Sequence, residues 1–197
     1  MIIACIGDSL TEGDHGIKGV TGVANVTEVN YPNILSEITG AEVRNYGKCG
    51  WRSSTMLNWY REGGVNVKDA DAVIIMLGTN GGQSAEGSSF EDSAYRELTE
   101  LIQNDAPNAK IFLCTPPNAT VNPTYSNCGY APRVRKAALF VRSFAAQKKL
   151  PLIDLYASRR ITPETEAELQ GNDGLHFTDE GYRVLAEEIA AALGFNV

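Results

Sequence analysis

The sequence predicts an α/β protein, a three-layer α/β/α sandwich on a five-stranded parallel sheet. Three observations point there. Short apolar runs alternate with longer stretches whose apolar residues recur every three or four positions. The short runs are near-continuous, as expected of strands buried on both faces. Polar, glycine-bearing turns follow the first three runs, where ligand-binding crevices of open α/β sheets form.

The first strand is "IIACIG" (2 to 7), short and partly β-branched. The helical stretch "YPNILSEIT" leads to a second strand, "AEVRNYG" (41 to 47). "SSTMLNWYREG" is the next helix, with Ser53, Ser54 and Thr55 placed to cap it, and "DAVIIMLG" (71 to 78) the third strand. "FEDSAYRELTELIQND" and "APRVRKAALFVRSFAAQKK" flank a fourth strand, "AKIFLCT" (109 to 115). "LPLIDL" (150 to 155) is the fifth, and Thr178 caps the last helix, "TDEGYRVLAEEIAAAL". Strands that alternate with helices imply a parallel sheet covered on both sides, and five of them fit a flavodoxin-like order, 2-1-3-4-5. No repeat, linker or low-complexity tract divides residues 1–197, which read as a single domain long enough for a substantial core. Loops 11–30, 79–89 and 116–130 are long for their setting and are expected to wall a site.

Composition narrows the function classes. Hydrophobic content of 43%, charged content of 21% and a net charge of −7 describe a globular chain without a basic footprint. The densest basic stretch, Arg133 to Lys136, has helix-face spacing, so nucleic acid is not an expected partner. No basic segment followed by a long apolar run opens the sequence, and no run approaches the roughly 20 apolar residues that span a bilayer. A cytoplasmic location is the default expectation, and a trimmed leader would change it to secretion. Cys5 and Cys114 fall inside strand runs as packed thiols, while Cys49 and Cys128 lie in loops, and no CxxC spacing occurs. With two isolated histidines and no carboxylate at ligand spacing, neither a metal nor a cofactor is expected.

The polar turns carry the chemistry. Ser9 follows Gly-Asp directly after the first strand. A serine hydroxyl needs a base to become nucleophilic, and histidine is the usual base near neutral pH. That histidine needs an acceptor on its other ring nitrogen to fix its tautomer. In "NDGLHFTDEGY", Asp173 and His176 offer such a pair within one turn. Ester attack also needs donors for the developing oxyanion. The backbone N–H of Gly50, the amide of Asn80 and the N–H of Ser9 are candidates. Each residue alone has an ordinary turn or capping explanation. Together they supply every group that one mechanism requires. His15 lies in a glycine-rich loop too poorly organised for a base. Asp8 reads as a brace of the serine turn. Trp51, directly after Gly50, is a candidate substrate-binding wall, with packing beneath the second helix as the competing reading.

The blocks "IGDSLTEG" (6 to 13), "NYGKCG" (45 to 50), "GTN" (78 to 80) and "DGLHFTDEGY" (173 to 182) resemble those of the SGNH hydrolases, the GDSL esterases and lipases. They occur in that family's order along nearly the whole chain. The resemblance implies the same sandwich fold, with Ser9 as nucleophile, Asp173 and His176 completing a triad, and Gly50 and Asn80 completing the oxyanion hole. Many members carry an acidic residue after the "GTN" block, where this chain has Gly81, which leaves the bracing of that loop open. The expected partner is a small-molecule ester. Loops rich in Asn, Thr, Ser, Gly and Tyr favour short acyl groups on a polar alcohol such as an acetylated carbohydrate. A lysophospholipase or thioesterase with a longer acyl pocket is the alternative, and a flavodoxin-like module holding phosphate or flavin in the "GDSLTEG" turn the remote one.

Overall fold

A strand covered on both sides must be apolar at every position, and the first strand of the structure shows how that requirement is met. Ile3 and Cys5 pack into one buried cluster, and Ala4 and Ile6 into another on the opposite side of the sheet. The computed structural model describes residues Met1 to Val197. In chain order its elements are β1 (Ile2–Gly7), α1 (Ser9–Glu12), α2 (Tyr31–Thr39), β2 (Glu42–Gly47), α3 (Ser53–Arg61), β3 (Ala72–Met76), α4 (Phe90–Asp105), β4 (Lys110–Cys114), α5 (Ala131–Lys148), β5 (Leu152–Ile153), α6 (Glu166–Leu169) and α7 (Asp179–Leu193). The five strands form one sheet in the order β2-β1-β3-β4-β5, every pair parallel. Both the order and the sandwich agree with the sequence reading.

The same alternation runs through β3 and β4. Ile74, Met76, Phe112 and Cys114 face the layer made by α2 and α7; Val73, Ile75, Ile111 and Leu113 face α3, α4 and α5. Burial pushes the Cys5 thiol up to about 12, so it behaves as a small apolar side chain. On the second face, the Tyr95 ring stands edge-on to Phe140 at 5.5 Å, and Phe140 stacks on Phe144 at 5.8 Å. Arg96 lies over the Phe144 ring at 4.6 Å. No helix is long and apolar enough to cross a membrane.

Three local details differ from the sequence reading. The fifth strand shrinks to two residues, because Pro151 has no N–H for the ladder and Asp154 turns away to accept a fork of bonds from Arg142 and one from Thr115. Neither Ser53 nor Ser54 caps the N-terminus of α3, whose N-cap is Arg52. Thr55 Oγ1 accepts the Arg52 N–H, and Glu91 of α4 accepts both the N–H and the hydroxyl of Ser54. The segment after β1, expected as loop, begins with the one-turn helix α1, whose N-cap Asp8 accepts the Leu10 N–H at 3.1 Å. Thr178 caps α7 as expected, accepting the Gly181 N–H at 3.2 Å.

The aromatic stack gives a stability prediction. Phe144→Ala should lower unfolding free energy by about 3–5 kcal/mol in urea titration, because the void forms in a fully buried site. Phe90→Ser, on a side chain left 76% exposed, should change it by less than about 0.5 kcal/mol.

Candidate active site

Between β2 and β3, β1 ends where the connections on its two sides diverge, and the turns after all three strands meet there. Ser9 is the first residue of α1, where a backbone N–H has no partner within the helix. Its Oγ lies 3.0 Å from His176 Nε2, bridging 167 residues of sequence. The other ring nitrogen, Nδ1, is 2.6 Å from Asp173 Oδ2. Ser9, Asp173 and His176, singled out in the sequence, therefore form one hydrogen-bonded line.

Asp173 is held from every side. Its Oδ1 accepts the N–H groups of Leu175 and His176, both at 2.9 Å, and Oδ2 also accepts the Asn127 amide at 2.9 Å. Burial works to raise this carboxyl, but the His176 ring and the two amides outweigh it and hold it below its ordinary 3.8. For His176, burial alone would depress the imidazolium. The Asp173 bond and charge, helped by Asp14 and Asp8, overcome that and raise the ring above 6.5. Asp8 itself is pushed up to about 6, burial being the main cause. The Leu10 N–H on Oδ1 offsets part of it, followed by Thr79, although no bond of normal geometry reaches Asp8 Oδ2.

Gly50 and Asn80 line the same cavity as Ser9 and His176, a space of about 220 Å³. Gly50 adopts a φ of 74°, a left-handed conformation that side-chain-bearing residues rarely take. The Gly50 N–H donates to no group in the protein. Ahead of it, Glu12 accepts the Cys49 N–H and approaches Lys48, tying the Gly50 turn to α1. Asn80 spends one amide hydrogen on the Trp51 carbonyl at 3.2 Å, leaving the other free. The three long loops all contribute walls: Val20 and Val23 from the first, Asn80 from the second, Asn127 and Tyr130 from the third.

Two expectations need correction or completion. Trp51 does not line the cavity; its ring stands edge-on to Trp59 of α3 at 5.2 Å, so packing against the helix is its role. The loop after Asn80 is braced without an acidic residue at 81. Buried Gln83 folds back over Gly81, where a Cβ would meet its Oε1 at 2.0 Å, and donates to Ser53 Oγ at 2.9 Å. His15 is buried as a strut, with Nε2 2.8 Å from the Val29 carbonyl and 2.9 Å from Thr27 Oγ1. Asn127 and Asp14 were not singled out in the sequence. Neither carries a local signal, since each reaches the site through a loop. Nowhere do three or more His, Cys, Asp or Glu side chains gather as a metal-binding set.

The profile of the GDSL-like lipase/acylhydrolase family matches residues 5–184. The chain is 27% identical to the isoamyl acetate-hydrolyzing esterase of Schizosaccharomyces pombe, over 97% of this chain and 74% of that protein. It is 28% identical to an acetylxylan esterase of Xylanibacter ruminicola over 97% of its own length, but spans only 42% of that protein. Among solved structures it is similar to the aryl esterase of M. smegmatis (TM-score 0.72, 21% identity, 98% of this chain and 96% of the other). A carbohydrate acetylesterase family member from Sinorhizobium meliloti gives 0.70 at 20% identity, covering 98% and 99%. At these identities the structural likeness speaks for the fold.

The balance of forces on His176 is measurable. In an NMR pH titration of the intact protein, its ring should gain its proton at a pH above 6.5. Asp173→Asn removes the raising charge and leaves the burial, so the midpoint should move down. An unmoved midpoint would show that Asp173 is not what raises the ring.

Proposed function

The chain belongs to the GDSL-like lipase/acylhydrolase family and is a carboxylic ester hydrolase; from that premise we propose that it works through a Ser9 acyl-enzyme on short acyl esters of polar alcohols, acetylated carbohydrates among them. The single observation that carries this reading is the line from Ser9 Oγ to His176 Nε2 at 3.0 Å and from Nδ1 to Asp173 at 2.6 Å. In the proposed sequence, Ser9 Oγ attacks the ester carbonyl carbon as its proton passes to His176 Nε2. The carbonyl oxygen takes the negative charge, within reach of the N–H groups of Ser9 and Gly50 and the free amide hydrogen of Asn80. His176 then gives its proton to the departing alcohol oxygen as the C–O bond breaks. Water repeats the attack, its proton moving through His176 back to Ser9 Oγ as the acid leaves. Asp173 keeps its charge throughout and stabilises the imidazolium.

Support for a short acyl group comes from size. A cavity of about 220 Å³ is smaller than the roughly 300–1,000 Å³ of sites that enclose drug-sized ligands. The S. pombe and X. ruminicola relatives are both named for acetyl esters. The longer-chain alternative has one observation in its favour. A larger groove of about 650 Å³, lined by Val121, Ala131, Leu139 and Tyr156, begins one residue past Tyr130 of the catalytic cavity.

A nitrophenyl ester series from two to twelve carbons separates these readings: the rate should peak at the short end, and a peak at eight carbons or more would overturn the short-acyl reading. Ser9→Ala should lower turnover on the order of 10⁶-fold, and Asn80→Ala roughly 10²–10³-fold; near-full activity in purified Ser9→Ala would overturn the assignment. Because the base must be neutral and its ring is raised, kcat/KM should fall as pH drops through a value above 6.5.

A further inference from the structure

We propose that Asp14 is a specificity residue for the alcohol half of the substrate, selecting esters whose leaving group carries a hydroxyl on the carbon next to the ester-bearing one. This rests on the polar-alcohol reading above and gives it a structural agent.

Asp14 is tied to the nucleophile's own turn. It follows Gly13, which ends α1 in a left-handed conformation, and its N–H donates to the Ser9 carbonyl at 3.0 Å. The residue is only 4% exposed, and most of its polar atoms are committed. Oδ1 accepts the N–H groups of Gly16 at 2.9 Å and Asn25 at 2.8 Å, and the carbonyl accepts the Tyr182 hydroxyl at 2.7 Å. Oδ2 is different. It lies 3.6 Å from His176 Nε2, and its sole donor in the protein is the Cys49 thiol at 3.7 Å, a weak one. Asp14, Cys49, Ser9 and His176 line the same cavity. A rigidly held carboxylate oxygen thus faces the substrate space beside the nitrogen that must protonate the leaving alcohol.

Geometry then limits what suits that oxygen. To be protonated, the alcohol oxygen must come within about 2.6–3.2 Å of His176 Nε2. Because Oδ2 is 3.6 Å from that nitrogen, a hydroxyl on the adjacent carbon can rotate towards it and donate, a charge-assisted bond to an acceptor that otherwise has only a thiol. A plain alkyl group presents C–H there and leaves Oδ2 with the weak thiol donor alone. Sites arranged around a substrate hydroxyl discriminate strongly against analogues that lack it. Sugars and other polyols carry adjacent hydroxyls; simple alkyl alcohols do not. The rival account, in which Asp14 acts only through the charge of the imidazolium, would affect every ester alike.

The test compares 2-hydroxyethyl acetate with propyl acetate, nearly equal in size and identical in acyl group, on wild type and Asp14→Asn. Asparagine keeps the Oδ1 acceptor and replaces Oδ2 with an amide donor. Wild type should prefer the hydroxyethyl ester in kcat/KM by about 10- to 100-fold, and the variant should lose at least about tenfold of that ratio. A wild-type preference that Asp14→Asn retains overturns the role of Asp14 alone. Equal losses on both esters also overturn it, in favour of the imidazolium account. No wild-type preference overturns both this role and the polar-alcohol reading, while leaving ester cleavage by Ser9 intact. Should the variant fail to fold, acyl transfer in wild type decides. The acceptor hydroxyl attacks the acyl carbon, its proton passes through His176 to Ser9 Oγ, and the Ser9–acyl bond breaks. Ethylene glycol should capture acetyl at least about tenfold better than propan-1-ol at equal concentration; parity overturns the proposal.

Discussion

The chemistry proposed for this molecule depends on one contact, the bond between Asp173 and His176. A largely buried imidazole beside a serine is not a base of defined tautomer until something claims its other nitrogen. Here that claim is made at 2.6 Å by a carboxylate whose remaining lone pairs are occupied by two backbone amides and Asn127. The carboxylate has no freedom to turn away, and so the ring has none. Burial strengthens the interaction by excluding water, and the same burial would neutralise the imidazolium if the charge of Asp173 were absent. The site is stable as a set and unstable in parts.

The scaffold serves that set by bringing three turns to one point. Parallel order places β1 between β2 and β3, so the serine, the Gly50 turn and Asn80 arrive from three separate segments. Glu12 then ties the Gly50 turn to α1, and Gln83 ties the Asn80 loop to the start of α3. These side chains determine where backbone donors point.

Much of this was legible in the sequence, for identifiable reasons. Strands buried on both sides must be continuously apolar, which made "IIACIG" and "DAVIIMLG" readable, and long helices advertise their buried faces every three or four residues. Ser9, Asp173 and His176 were readable because scarce chemistry-bearing residues sat at the ends of such elements. What escaped notice lacks either signature. The four-residue α1 is too short to show a period, and β5 is shorter than its apolar run because Pro151 breaks the ladder at one end and Arg142 holds Asp154 at the other, the second being a tertiary effect. Trp51 sits beside a site residue in sequence, but its ring packs edge-on against Trp59 of α3. Asn127 and Asp14 reach the site from loops, where neighbours are set by folding and not by spacing.

The 167 residues between Ser9 and His176 also have a meaning in time. At translation rates of about 5–20 residues per second, the ribosome finishes the histidine roughly 8–33 seconds after the serine. For that interval the nascent polypeptide carries the Ser9 hydroxyl without the histidine proposed to deprotonate it. The proposed nucleophile meets its proposed base only when the late segment folds back beside the earliest strand.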